Sequence, residues 1–312
     1  MIILSCLLAS IPTQAFAGMP YAHEADFAAR AAAVMEAVRR TPGRTVPAPA
    51  GAPAAAAQRA APARPGAGLQ FLTLKPFNSR TNPKWGPVLK DIVNHEAPGD
   101  SNPYDDLVTV AHETTHGTHA YLRNQMYQPG KRLNAFYVLE DRAVALPEPA
   151  MRKSDVIPFI PRSLRGSKYA TYIEGQTDWD DTPLYIFDEW VAYANGGAAG
   201  VDLVQRGLWK YGRRDAVSGQ IEFAAYALAT AMAIQARDPE YFSKNPQFME
   251  FVAWNMKRCM EGFRAGVQMP EFAQESQEKY YAALKGGADG ESLRAFTRER
   301  FGADWAQATL GF

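Results

Sequence analysis

The sequence predicts a mostly helical α+β fold, on three observations. Several segments open with a cap residue and a proline, as helices do: Asn102-Pro103, Thr182-Pro183, Asn245-Pro246, and Pro270 alone. One pair of β-rich runs, Ala135–Leu139 and Arg142–Leu146, flanks the polar pair Glu140-Asp141 and predicts an antiparallel hairpin. From about residue 200 the pattern is helical almost to the end.

In chain order, the short apolar run Ile2–Ile11 is followed by Ala15-Phe16-Ala17, a small-x-small cleavage pattern. Residues 1–17 therefore read as a signal peptide, with secretion or a periplasmic location expected, although no basic residue precedes the run. A lipid anchor through Cys6 is the weaker alternative. Residues 18–67 read as an Ala-rich helix, Tyr21–Arg40, and a linker rich in Ala, Pro and Gly that cannot form a packed core. A folded domain is expected over 68–312. It opens with a short strand over Gln70–Leu74, continues with a helix from Pro103 to about Asn124, and then enters the hairpin. The next helix begins at Pro183 and is expected to stop at Asn195-Gly196-Gly197. His95 reads as a loop residue, and Trp179-Asp180-Asp181 as cap and turn.

Composition excludes several functions. Lys plus Arg and Asp plus Glu number 33 each, so the formal net charge is +0 and nothing suggests a nucleic-acid partner. No segment after the leader is apolar for long enough to span a membrane. Of the two cysteines, Cys6 lies in the leader and Cys259 in an apolar helical run, where a buried structural thiol is expected. Thiol-ligated metals and cysteine nucleophiles lose most of their material.

The chemistry concentrates at residues 112–116, His-Glu-Thr-Thr-His. At about 100° per residue, two histidines four apart lie about 40° from each other around a helix, so both imidazoles reach one metal ion. Glu113 sits on the rim of that face, where it can take a proton from an activated water. A catalytic zinc usually takes three protein ligands. His119 is the nearest third candidate, but three side chains from one straight helix rarely converge, unless Gly117 breaks that helix. Glu189 is the stronger one. It lies in Pro183–Asn195, a helix apolar nearly all round, where a carboxylate needs a partner or a metal. Its neighbour Asp188 points about 100° away and suits the support of a ligating imidazole. Glu174 and Asp188 are the reserve ligands. Tyr172, Tyr185, Tyr193 and His119 are the candidate oxyanion donors.

A His-Glu-x-x-His helix followed much later by a helical Glu resembles the gluzincin group of zinc metallopeptidases. The resemblance covers the two helices and implies a zincin-like active-site helix, Zn2+ held by His112, His116 and Glu189, and Glu113 as general base. It implies hydrolysis of a peptide or protein substrate. The chain departs from that pattern in the separation of 73 positions from His116 to Glu189 and in Tyr193, which stands where thermolysin-like members carry an Asp. Two other readings keep the metal: a zinc amidase or peptidase acting on cell-wall peptides, and a non-catalytic metal-stabilised binding domain. Structural zinc sites are usually closed and rich in cysteine, which weighs against the last. If a peptide binds, the edge of the 135–146 hairpin is the expected docking strand.

Overall fold

The computed structural model describes residues 64–175 and 181–312, all within one compact unit, Thr45–Phe312. The leader, the Tyr21–Arg40 helix, Cys6, Trp179, Asp180 and nearly all of the linker lie outside the described residues. The described part is mostly helical with a small antiparallel sheet, the class expected.

The sheet has three strands, β1 (Leu72–Thr73), β2 (Leu133–Tyr137) and β3 (Arg142–Pro147), in the order β1-β3-β2. β2 and β3 form the expected hairpin, with Ala135 opposite Ala145 and Tyr137 opposite Ala143. Its turn places Leu139, Glu140 and Asp141 consecutively at positive φ (72°, 57° and 57°), a conformation that L-residues seldom adopt. Outside bonds hold it there: Glu140 N–H donates to Asp91 Oδ2 at 2.9 Å and the Asp141 carbonyl accepts from Leu74 N–H at 2.7 Å. The expected docking edge is not open. All five residues of β2 are buried, and its Tyr137 carbonyl accepts from the Asn195 amide at 3.0 Å.

The helices are α1 (Pro87–Asn94), α2 (Leu107–Gln125), α3 (Tyr185–Gln205), α4 (Ser218–Arg237), α5 (Pro239–Lys244), α6 (Pro246–Val267), α7 (Glu275–Gly286), α8 (Glu291–Phe301) and α9 (Ala303–Leu310). A π-helical turn, Ala170–Gly175, precedes α3. None of the described helices is long and apolar enough to cross a membrane. α3 and α4 form the centre, buried nearly throughout, and the rings of Phe136, Phe187, Trp190, Phe248 and Phe251 pack together in stacked, tilted and edge-on pairs between the sheet and α6. Cys259 is buried there as a free thiol, as expected, and burial pushes its pKa up to about 12.

Three helices differ from expectation in where they start or stop. α2 begins after Asp106, not at Pro103, because the Asp106 carboxylate accepts from the N–H groups of Val108 and Thr109 and caps the helix itself. α3 begins at Tyr185, two residues after Pro183, and runs straight through Asn195-Gly196-Gly197. Those glycines serve close approach: a Cβ on Gly196 would lie 3.3 Å from the Val108 carbonyl oxygen and 3.5 Å from His112 Cβ, and one on Gly197 would meet Gln220. Pro270 opens no helix; it lies in a turn anchored by the buried Phe272 ring against Trp209, and α7 starts only at Glu275. At Asn245-Pro246 the expected start holds, with Asn245 as N-cap of α6.

Candidate metal centre

α2 and α3 pack side by side, and the glycine contact draws them together at the turn that carries His112. His112 and His116 project from α2 with their Nε2 atoms 3.0 Å apart. Glu189 comes from α3, its Oε2 3.5 Å from His112 Nε2 and 3.4 Å from His116 Nε2. The three ligand-type atoms thus form a triangle with edges of 3.0, 3.4 and 3.5 Å. A tetrahedral zinc with bonds of about 2.0–2.1 Å keeps its ligand atoms about 3.3–3.4 Å apart. Glu189 Oε2 is buried with no hydrogen-bond partner of its own, a costly arrangement without a cation. The donor set of two imidazoles and one carboxylate fits zinc.

The supporting bonds fix which atoms face the triangle. Asp188 Oδ1 lies 2.7 Å from His116 Nδ1 and 2.8 Å from His119 Nδ1. An ionised carboxylate only accepts, so the His116 proton sits on Nδ1 and its Nε2 lone pair points toward His112 and Glu189. Tyr185, one turn before Glu189, donates its hydroxyl to Glu189 Oε1 at 2.7 Å and leaves Oε2 as the free atom. Burial alone would raise the Glu189 carboxyl, but the facing His116 and His112 outweigh it and hold the pKa at about 2. Asp188 is likewise held far below the carboxylate range despite its burial, by His119 and His116. His116 is pushed well above the usual histidine value: burial opposes this, and Glu189 and Asp188 overcome it. The pocket concentrates negative charge where a cation would sit.

No protein-family model, curated protein or solved structure matches the chain.

Several candidates take other places. His119 is buried beside Phe136 and bonds to Asp188, and α2 runs unbroken through Gly117, so His119 stays apart from the His112–His116–Glu189 triangle. Gly117 instead leaves room for Asp100, whose carboxylate a Cβ there would strike. Glu174 is exposed on the π-helical turn and belongs to none of the potential metal clusters among the described residues. Tyr185 donates its hydroxyl to Glu189 Oε1 at 2.7 Å. His95 is not a loop histidine. It caps the C-terminus of α1, fully buried, with Nδ1 2.8 Å from the Asp91 carbonyl and Nε2 3.1 Å from the Leu74 carbonyl. Asp181 accepts from Ser154 N–H at 3.2 Å through its side chain.

Glu113 borders a cavity of about 210 Å³ together with His112, Tyr172 and Tyr193. The Tyr193 ring meets His112 edge-on at 4.5 Å, and its hydroxyl donates to that of Tyr172 at 3.0 Å. Lys168, Arg214 and Asp215 also line the cavity and were not legible in the sequence. They come from connecting loops with no periodic pattern. Lys168 Nζ pairs with Asp215 at 2.9 Å, and Arg214 pairs with Asp106, the cap of α2.

Proposed function

We propose that this protein is a zinc-dependent hydrolase, most simply a metallopeptidase of the gluzincin type. The observation that carries the reading is the triangle of His112 Nε2, His116 Nε2 and the unpartnered Glu189 Oε2 at the edge of a cavity that also holds Glu113. These three residues would hold the metal. When bound, zinc supplies Lewis acidity, which acidifies water and polarises a carbonyl.

The chain's own groups have distinct tasks. Glu113 adjoins the first imidazole and faces the cavity, and its carboxylate accepts a proton from water and returns it to the departing amine. Asp188 holds His116 in the tautomer that presents Nε2 and stabilises charge on the ring. Tyr185 fixes the rotamer of Glu189. The paired hydroxyls of Tyr172 and Tyr193 stand beside His112 and supply the donor for negative charge on the carbonyl oxygen. The cavity is partly open to solvent, which gives an extended peptide a way in.

The deciding experiment is Glu113→Gln. The variant should bind one zinc per chain as the parent does, while peptide hydrolysis falls by at least about 100-fold. Full activity in that variant would refute the mechanism. Absence of zinc from the parent, together with hydrolysis that resists chelators, would refute the metal reading itself.

A further inference from the structure

A second cavity, of about 300 Å³, lies between the hairpin turn and α6. Its walls carry Arg142, Lys257 and Arg258 around Trp254. Arg258 is partly buried, and its guanidinium bonds to two neutral groups, Asn195 Oδ1 and Asn255 Oδ1, the latter at 3.3 Å. No carboxylate pairs with it among the described residues. A cation so placed ordinarily has an anionic partner. Burial lowers the Arg258 pKa to about 10, and the field of Arg142 adds to that. Two like charges therefore share one cavity.

The other groups complete a receptor. Arg142 and Arg258 flank the Trp254 ring at 5.6 and 5.8 Å from its centroid, which sets the orientation of both forks. Arg142 Nε is buried without a partner. The two acids nearby, Glu140 and Glu261, lie on the rim with side chains 77% and 62% exposed, and they pair with Arg142 at 2.6 Å and Lys257 at 3.9 Å. With Arg142 and Lys257 so paired, Arg258 is the cation of this cavity that no carboxylate among the described residues balances.

We infer that this cavity binds a small oxyanion, a phosphate or carboxylate group, held by Arg258 and Arg142 with Lys257 at the entrance. Planar guanidinium forks suit such groups, because two N–H donors meet two oxygens. The site does not depend on the metal. It is joined to the metal-side helix all the same: Asn195, the partner of Arg258, donates to Thr115 Oγ1 at 3.1 Å, within the His112–His116 segment of α2.

Titration calorimetry of the full chain with inorganic phosphate and, separately, with succinate tests this, in chelator-treated and in zinc-loaded protein. Saturable one-to-one binding of either anion is expected in both forms, with the tighter of the two naming the ligand chemistry. Arg258→Gln should weaken it by about tenfold or more. Arg142→Gln, at a more exposed position, provides the same loss if the first variant folds poorly. Trp254 fluorescence should follow the titration in the parent and fall silent in Trp254→Phe. Absence of saturable binding of both anions, or affinities unchanged in both arginine variants, would overturn the site.

Discussion

Asp188 receives two imidazole N–H groups on a single oxygen, at 2.7 Å from His116 and 2.8 Å from His119. That economy of contacts makes it the residue on which the geometry of His116 turns. Replacing it with Asn keeps the shape but presents an amide that can donate as well as accept, so the Nδ1–H tautomer of His116 is no longer enforced. Asp188→Asn should cost about 10- to 100-fold in zinc affinity, measured by competition with a chromophoric chelator, with the fold retained. Unchanged affinity would show that His116 is oriented by packing alone. At this scale much was legible: the spacing of His112 and His116 and the cost of a carboxylate in an apolar helix pointed to the residues that meet. Tyr185 escaped because its contact with Glu189 uses an ordinary i, i+4 relation, which a sequence offers for many tyrosines.

Among elements, α3 does most to build the site. It presents Asp188 and Glu189 on one stretch and Asn195, Gly196 and Gly197 on the next, all against α2 or its neighbours. The glycine pair reads as a stop signal in one dimension, since glycine ends many helices. Only the neighbouring helix explains why it does not: the Val108 carbonyl and His112 Cβ occupy the space a side chain would need. Gly196→Val should therefore destabilise the protein by about 2 kcal/mol or more and loosen zinc binding as His112 is pushed away. Thermal melts and zinc titration check this, with Gly286→Ala as the control, since nothing lies within 4 Å of a Cβ there. A melting temperature equal to that of the control would mean that the helices part without cost. The same blindness to neighbours explains α2, whose start moved from Pro103 to the side chain that actually caps it, and Pro270, whose turn is set by Phe272.

For the molecule as a whole, the hairpin is tied to α1 through His95 and Asp91. Both His95 nitrogens face oxygens, Asp91 and Tyr137 at Nδ1 and Leu74 and Asp141 at Nε2. Burial pulls the His95 pKa down, but the Asp91 contacts outweigh it and leave it raised, while Asp91 is lowered. A raised histidine contributes stability that is fully present below its unfolded value near 6.5 and is lost as pH rises through the folded pKa. The Asp91 contribution has the opposite sign: it is present above 3.8 and is lost as pH falls through the folded value. Melting temperature should thus decline from pH 6.5 upward into the alkaline range, and His95→Gln should flatten that decline; a slope unchanged in the variant would place its origin elsewhere. His95 looked like a loop residue because its partners come from three separate segments, and only the closed fold brings them together. The same closure seals Cys259 of α6 against Trp190 of α3, with its thiol both inaccessible and protonated at neutral pH. In a Cys6→Ser chain, a thiol-reactive dye could reach this residue only when the interior opens. Its uptake rate would then act as a clock for such openings, and would show whether metal loading slows them.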